Sequence, residues 1–279
     1  MNFKAPLLFL ILVLISTTVF SQPGYFRSPS LHDNTLVFTA EGDLWLADIE
    51  TGHTQRLTTH PAEEKHASIS PDGAWIAYSA NYEGATEAYL IPVSGGVPKR
   101  LSYENARLVV QGWTPEGEVI YASNNHKGAP GSWGLVVVDP MSLESKQLPL
   151  SDAIEGTIDA KGEYVYFVRF GLQVSSDNVR AYRGGAQGKL WRHRLGSSAE
   201  ATPLAINHPG SIREPMIVGE QLYFISDASG TDNIWSLSST GKEVTQVTSF
   251  TDWEVRSAQA NNNRVVFQHG ANIELMNLP

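Results

Sequence analysis

The sequence predicts an all-β fold, a six-bladed β-propeller of four-stranded antiparallel blades whose last blade is incomplete. Three observations predict it. A unit of about 43 residues recurs, each unit carries the same order of turns and aromatic strands, and no long segment shows helical periodicity. The main alternative is an antiparallel sandwich or barrel. It has similar short strands, but it does not explain six copies of one order.

The first 21 residues are typical of an export signal. Lys4 precedes an unbroken apolar run, Leu7 to Ile15, which is too short to span a bilayer with margin. Val19 and Ser21 suit the −3 and −1 positions of a signal peptidase site. We expect cleavage after Ser21, an exported periplasmic protein and no membrane contact after cleavage. An uncleaved anchor is the alternative, and residues 22–279 form the propeller in either case.

The second copy shows the elements of one unit most clearly. Ser70-Pro71-Asp72-Gly73 predicts a tight turn after a first strand, and the run from Trp75 to Ala80 predicts a buried second strand. The copy continues with a turn at Asn81 to Gly84, a third strand at Glu87 to Val93, a hairpin at Gly95-Gly96 and a fourth strand at Lys99 to Ser102.

The other copies repeat these elements in weaker form. The second strands centre on Val37-Phe38, Ala77-Tyr78, Ile120-Tyr121, Tyr166-Phe167, Tyr223-Phe224 and Val266-Phe267. The third strands centre on Leu44-Trp45, Ala88-Tyr89, Val136-Val137, Leu190-Trp191, Ile234-Trp235 and Ile273-Glu274. The fourth strands lie at Gln55–Thr58, Lys99–Ser102, Lys146–Leu148, Thr202–Leu204 and Thr245–Thr248. The sixth copy lacks a fourth strand, so either this blade stays three-stranded or the sequence is the front part of a longer protein.

Two further features of the repeat carry alternatives. The fourth copy is lengthened by residues 170–188, and a long hairpin insertion is either a functional loop or a plain surface loop. Aromatic residues recur at one position of the third strand, namely Trp45, Tyr89, Trp191 and Trp235. A ligand-stacking ring is one interpretation, but recurrence in successive blades favours packing between neighbouring blades.

Composition excludes several classes of function. The net charge of −9 argues against a nucleic-acid partner, and the absence of cysteine excludes thiolate metal sites and cysteine nucleophiles. The eight histidines show no metal-binding spacing, so we expect no metal and no cofactor. The Asp227–Asn233 segment is rich in oxygen ligands, but it lacks the ordered spacing of a calcium loop and favours a turn. No Gly-x-Ser-x-Gly motif occurs, and the chain carries no recognisable catalytic residues.

Three residues are candidates for binding peptides. Trp113 and Arg256 lie in or near first strands, which face the axis of a propeller, and Arg107 precedes the first strand of the third copy. We therefore expect them to line the pore or its mouth. An arginine binds a carboxylate through two parallel hydrogen bonds, which suits a peptide terminus.

Several strings resemble the tricorn-type proteases. The resemblance begins at Gly24 to Pro29, followed by Glu41-Gly42-Asp43-Leu44-Trp45, and it continues at Ser249 to Asp252 and Ile273 to Leu278. Its most specific part is Tyr182-Arg183-Gly184-Gly185-Ala186-Gln187-Gly188-Lys189-Leu190-Trp191. The Ser-Pro-Asp-Gly repeat is less specific, since TolB-like and prolyl-oligopeptidase-like propellers share it.

The resemblance implies the N-terminal six-bladed propeller of a large, hexameric serine peptidase. In that family the catalytic residues lie beyond the propellers, and this sequence ends before them. The six-bladed propeller is thought to serve as a route for peptides. A pair of basic residues between the second and third blades can anchor a peptide carboxylate, and the matching stretch here, Asn105 to Leu108, keeps only Arg107.

These observations support a leading hypothesis and two alternatives. The leading one is a non-catalytic propeller that gates or binds peptides and supports assembly with downstream protease domains or as a homo-oligomer. The first alternative is a free-standing periplasmic TolB-like propeller that mediates protein–protein interaction. The second is a decayed gene whose product has no activity.

Overall fold

A computed structural model describes residues 25–125, 132–171, 179, 181–238 and 241–278. The predicted signal segment, 1–21, and its cleavage site lie outside these residues and stay predictions. Within the described ranges we find no helix with the length and apolar character needed to cross a membrane.

The described chain forms 23 strands in six antiparallel sheets. Blades 1 and 2 contain β1 (Arg27–His32), β2 (Thr35–Ala40), β3 (Asp43–Asp48), β4 (Thr54–Arg56), β5 (Glu64–Ile69), β6 (Trp75–Ala80), β7 (Glu87–Pro92) and β8 (Lys99–Arg100). Blades 3 and 4 contain β9 (Leu108–Trp113), β10 (Val119–Ser123), β11 (Gly134–Val138), β12 (Ser145–Gln147), β13 (Glu155–Ile158), β14 (Tyr164–Arg169), β15 (Lys189–Arg194) and β16 (Thr202–Pro203). Blades 5 and 6 contain β17 (Ile212–Val218), β18 (Gln221–Ser226), β19 (Asn233–Leu237), β20 (Val244–Gln246), β21 (Val255–Asn261), β22 (Arg264–His269) and β23 (Asn272–Asn277).

The predicted six-bladed propeller is confirmed, with four strands in each blade except the last. Strands follow one another in sequence order within every sheet, which is the meander that the repeated turns predict. The fourth strands are two or three residues long, shorter than predicted in several blades. In blade 1 the strand ends at Arg56 because the next two backbone N–H groups, of Leu57 and Thr58, both point to the Leu44 carbonyl.

Blade 6 has three strands, and among the described residues β23 pairs only with β22. The ring closes by contact between blade 6 and β1. The Phe26 N–H donates to the Ala271 carbonyl at 3.2 Å, and the Asp33 N–H donates to the Asn261 side chain at 3.2 Å. The first and last blades are therefore joined without a shared sheet.

Hydrophobic clusters fill the spaces between successive blades. Tyr78 and Ile76 of blade 2 pack with Val37 and Leu44 of blade 1, and similar clusters join each later pair up to blades 5 and 6. Tyr89, Trp191 and Trp235 belong to these clusters or pack against them. Packing between blades, rather than a ligand-stacking ring, thus accounts for three of the four recurring third-strand aromatics, and the fourth, Trp45, donates from Nε1 to the Ala40 carbonyl at 3.2 Å. Flat aromatic rings suit such faces because each buries a large apolar area.

The two faces of the propeller differ in their connections. We call the face with the links from second to third strands and from blade to blade the upper face, and the opposite one the lower face.

In blades 1, 2 and 5 a buried hydroxyl after the fourth strand accepts the second N–H of the third strand. These bonds are Leu44 N–H to Thr58, Ala88 N–H to Ser102 and Ile234 N–H to Thr248, at 2.8–2.9 Å.

The insertion in blade 4 packs on blade 5 where it is described. Arg183 donates to the Asp227 carboxylate at 2.8 Å and to the Asp227 carbonyl at 2.9 Å. Gln187 donates to the Pro209 carbonyl at 3.0 Å, and the Gly188 N–H donates to the Ser211 hydroxyl at 2.9 Å. Residues 181–188 therefore clamp two blades together on the upper face. Residues 172–178 and 180 of the insertion lie outside the described residues.

Candidate functional site

A cavity of about 810 Å³ extends along the propeller axis and is lined by the first strands of all six blades. Its wall includes both ends of these strands, from Arg27 to His32 in blade 1 and from Arg256 to Asn261 in blade 6. The lining includes both polar and apolar side chains. This volume is typical of ligand-binding cavities.

A bulge shapes the upper end of four first strands. The register shifts by one residue in β1, β5, β17 and β21, each time opposite an aromatic residue of the second strand. The residues at the bulges, namely Ser28, His66, Glu214 and Ser257, have φ values between 48° and 52°. Such bulges re-aim side chains, and non-glycine residues at positive φ are typical of functional or strained sites.

A basic residue precedes the bulge in each of these four blades. The four residues are Arg27, Lys65, Arg213 and Arg256, and all of them line the cavity. They occupy equivalent places, since Arg27 pairs with Thr39, Lys65 with Ser79, Arg213 with Ile225 and Arg256 with Gln268. Blades 3 and 4 carry Val109 and Glu155 at this place. The fold thus gathers four cations at the upper end of the cavity.

Two of these cations share a single carboxylate. Glu63 accepts from Arg27 at 2.5 Å through one oxygen and pairs with Lys65 at 2.7 Å through the other. Burial raises the pKa of Glu63, but hydrogen bonds and charge from Lys65 and Arg27 outweigh it, so the pKa is lowered. The buried Nε of Arg27 has no hydrogen-bond partner. Blades 1 and 2 therefore present one surplus positive charge to the cavity.

The opposite wall, in blades 4 and 5, is rich in carboxyl groups. Arg213 is 12% exposed and lies 3.9 Å from Glu214 and 3.8 Å from Asp232. Glu155 accepts the Glu214 N–H at 2.7 Å. Burial raises the pKa of Glu155, and the neighbouring Glu214 carboxylate raises it further. Burial also raises the pKa of Asp232 to about 6, although Arg213 opposes the shift. On this wall the single guanidinium of Arg213 therefore lies among three carboxyl groups, those of Glu155, Glu214 and Asp232.

The lower half of the cavity is lined by uncharged groups. Trp113 donates from Nε1 to the Ser68 carbonyl of blade 2 at 3.0 Å. Gln111 accepts the Gly156 N–H of blade 4 at 3.2 Å, and Gln259 donates to the Ala67 carbonyl at 3.2 Å. These side chains tie neighbouring inner strands to one another and leave polar and aromatic surface toward the cavity.

The structure brings two of the three predicted peptide-binding residues to the cavity. Trp113 lines its lower half, and Arg256 lines its upper end, where its guanidinium pairs with Glu254 at 2.8 Å. Arg107 is exposed on the upper face and does not line the cavity. Its backbone N–H donates to Asn124 at 2.9 Å, which fixes the connection just before β9.

Sequence reasoning missed Arg27, Lys65, Arg213 and the carboxyl groups of Glu155 and Glu214. A signal was available in the repeat. Arg27, Arg213 and Arg256 each precede the second-strand phenylalanine of their copy by 11 residues, and Lys65 precedes Tyr78 by 13. The added spacing in the second copy and the absence of a base in blades 3 and 4 conceal this pattern in a single sequence.

A serine–histidine contact occurs in the described part of the chain, but it is buried. The Ser226 hydroxyl lies 2.7 Å from Nε2 of His208, but Ser226 is fully buried and His208 packs between Phe224 and Trp235. No group of three or more histidine or acidic side chains in the described ranges could hold a metal ion. Asp227 and Asn233 instead make hydrogen bonds to protein groups around their turn.

Comparison with known proteins places this architecture in a family. Residues 23–279 match the model of the "Tricorn protease N-terminal beta propeller domain". The curated Tricorn protease homolog 1 of Streptomyces coelicolor is 30% identical over 256 residues, which cover 88% of this chain and 23% of that protein. The chain thus spans about a quarter of the length of such relatives. Two Sulfurisphaera tokodaii proteins that match shorter stretches are named as putative N-terminal and C-terminal subunits of a tricorn-like protease.

Solved structures agree with this assignment. The crystal structure of the tricorn protease matches with a TM-score of 0.80 and 25% identity, covering 92% of this chain and 25% of that one. A putative TolB from Agrobacterium tumefaciens matches with a TM-score of 0.68 and 17% identity, covering 94% and 93% of the two chains. At that identity the TolB likeness shows the fold alone.

Proposed function

Since the chain belongs to the tricorn N-terminal β-propeller family, we propose that it is a non-catalytic propeller whose axial cavity binds and admits peptides for a serine peptidase. The proposal also gives the domain a second role, support of the protease assembly. Both roles are carried over from the family to this chain.

The observation that carries the peptide role is the polar, charged cavity along the axis. The first strands, which are four to seven residues long, give it a length of about 20 Å, which about six residues of extended peptide would span. Backbone amides of a peptide need hydrogen-bond partners when they leave water. Gln111, Gln259 and the indole of Trp113 offer such groups or stacking surface along the wall.

The three predicted residues take different places in this proposal. Trp113 contacts the peptide in the lower half of the cavity, where a flat ring packs on an extended chain. Arg256 interacts at the upper end, with its charge already matched by Glu254. Arg107 acts outside the cavity, at the rim of the upper face, and meets the peptide before it enters.

The absence of cysteine from the sequence provides a direct test. A cysteine placed in the cavity by Gln259→Cys can be labelled with a bulky maleimide, and Val97→Cys, on an exposed hairpin of the lower face, is the matched control. Labelling at position 259 should abolish binding of fluorescent hexapeptides measured by anisotropy. Labelling at position 97 should leave binding unchanged. Equal binding to both labelled proteins would refute the cavity as the peptide site.

A second candidate function, docking of a protein partner, is favoured by aromatic side chains on the upper face. Tyr25, Tyr103, Phe170 and Trp253 are 48–71% exposed there. Arg27, Arg100 and Arg169 lie against the first three rings at 5.3, 4.3 and 5.5 Å. The Trp253 indole lies against Gly270, where a Cβ would approach it to 3.1 Å. Aromatic anchors held in place are typical of interface hot spots.

We propose that these rings dock the catalytic portion of a tricorn-type protease. The double variant Tyr103→Ala/Trp253→Ala should then lower association with that portion in native mass spectrometry, at unchanged hexapeptide binding. The control Val97→Ala/Met141→Ala removes exposed apolar groups from the lower face and should have no effect. Unchanged association of the upper-face variant would favour the alternative, a TolB-like propeller that binds other partners.

A further inference from the structure

The charges at the upper end of the cavity are separated across its diameter. Blades 1 and 2 lie opposite blades 4 and 5 in a ring of six. The first pair contributes Arg27 and Lys65, which share Glu63. The second pair contributes Arg213 with Glu155, Glu214 and Asp232, so its carboxyl groups outnumber its one cation. Blade 6 is neutral because Arg256 pairs with Glu254, and blade 3 offers the uncharged Val109.

We propose that the space between Arg27 and Lys65 is a subsite for a carboxylate of a peptide in the cavity, and that the carboxyl-bearing wall opposite orients the peptide toward it. This inference rests on the proposed peptide-binding function and adds the position and polarity of the ligand. It does not involve Arg107, which lies outside the cavity.

The geometry of the cation pair supports a carboxylate ligand. The Glu63 carboxylate accepts from one Nη of Arg27 and pairs with the Lys65 ammonium. Glu63 does not line the cavity, so these contacts lie on the side of the two cations that faces away from it. An arginine has five N–H donors and a lysine has three, so donors remain for a ligand on the cavity side. Lys65 is 43% exposed and Arg27 is 28% exposed, so both are accessible.

The opposite wall adds direction. An anion near Glu214 would meet several carboxyl groups around the single cation Arg213, whereas near Arg27 and Lys65 it meets two cations that share one compensating charge. Low-dielectric walls strengthen such fields compared with open water. A ligand carboxylate therefore has one favourable side of the cavity, although four cations are distributed over four blades.

Either a C-terminal carboxylate or an aspartate or glutamate side chain could supply the anionic group. The test therefore uses four versions of one fluorescent hexapeptide. The first has a free C-terminus and no acidic side chain, the second is its amide, the third is the amide with one internal Glu, and the fourth has Gln in place of that Glu. Binding is measured by anisotropy to the folded full chain at low and high salt.

The expected result is a preference for carboxylate-bearing peptides over neutral ones of about three- to tenfold, which salt reduces. Lys65→Gln and Arg27→Gln should each reduce this preference to near one and leave binding of the neutral amides unchanged. Lys146→Gln is the matched control, since it removes one positive charge from an exposed residue that does not line the cavity. It should retain the preference.

The variants also separate the two proposals. Glu214→Gln removes a carboxylate from the opposite wall and should therefore raise the affinity for free carboxylates slightly. The glutamine keeps an oxygen that can accept the Ala258 N–H, which Glu214 accepts at 2.7 Å. A preference that survives in Lys65→Gln and Arg27→Gln, or falls as much in Lys146→Gln, would overturn the subsite. Failure of all four peptides to bind the wild-type protein would refute the proposed peptide function itself. Circular dichroism of each variant verifies that the fold is retained.

Discussion

The upper connections and the lower hairpin tips of this propeller are held by different kinds of polar contact. On the upper face, Arg183 of blade 4 bonds Asp227 of blade 5 across 44 positions of sequence, and Glu214 of blade 5 accepts an N–H of blade 6. At the lower hairpins, Asp48 and Asp139 accept N–H groups from residues two or three positions ahead. Both faces carry bonds between blades, since on the lower face Lys99 of blade 2 donates to the Pro140 carbonyl of blade 3 at 2.7 Å and the Asp33 N–H of blade 1 donates to Asn261 of blade 6. The carboxylates differ between the faces: those of Asp227 and Glu214 join blades on the upper face, whereas those of Asp48 and Asp139 close only their own turns.

A pair of glycine substitutions should show this difference most strongly. In Gly188→Ala, on the upper face, the new Cβ would meet the Ile212 carbonyl of blade 5 at 2.1 Å. We expect a loss of about 3 kcal/mol in the free energy of unfolding, because backbone must move to relieve the overlap. Urea denaturation would measure it.

Gly196→Ala, in a lower hairpin, is the matched control. Its Cβ would meet nothing within 4 Å, although its φ of +75° is unfavourable for alanine. The cost should stay near the ~1–2 kcal/mol of a left-handed alanine. A larger loss for Gly196→Ala than for Gly188→Ala would contradict the proposed difference between the faces.

The pH dependence of stability should also originate on the upper face. Burial lowers the pKa of His208 from 6.5 to about 4, and the nearby Lys189 adds to the shift. As pH falls below 6.5 the unfolded chain takes up a proton that the folded chain does not accept until about pH 4. The contribution of His208 to folded stability should therefore decline over this interval, by about 3 kcal/mol at most, while proton uptake by Glu155 and Asp232, whose pKa values are raised, changes stability in the opposite direction.

Unfolding measured at several pH values would test this expectation with two variants. Compared with the wild type, His208→Gln lacks this contribution, so its stability should fall less, or rise more, between pH 6.5 and 4. His53→Gln, an exposed lower-face control, should keep the wild-type slope. If both variants keep that slope, His208 does not contribute to the pH dependence.

The lower half of the cavity should contribute equally to the binding of charged and uncharged peptides. Trp113→Ala should weaken binding of free and amidated hexapeptides alike, by several-fold, because stacking does not depend on a terminal charge. Trp113→Phe keeps a ring and should recover much of the affinity. A selective loss for free-acid peptides would show that the two halves of the cavity do not have separate roles.

The smallest effect is expected at the rim. Arg107→Ala should weaken binding of free-carboxylate peptides more than amidated ones, but by only about twofold, because an exposed charge is screened by solvent. Parallel anisotropy titrations with the two peptides measure the ratio. Equal changes for both would remove Arg107 from the peptide path.

The repeat predicted most of the fold because its signals are local. Pro71-Asp72-Gly73 and the alternating aromatic strands specify turns and strands over a few residues. The candidate site was less predictable. Trp113 and Arg256 could be proposed for the cavity from their nearness to first strands. Arg27 and Lys65 could not be distinguished from ordinary surface cations, because their exposure to the cavity depends on bulges that the sequence does not mark.

By itself, the sequence determined six blades and their strand order, since both follow from periodicity and turn chemistry along the chain. Only the tertiary structure decided that Arg27 and Lys65 face Glu155 and Glu214 across one cavity. The reason is physical. Strand formation depends on neighbours in sequence. The electrostatic field in the axial cavity depends instead on which blades lie opposite each other once the propeller has closed.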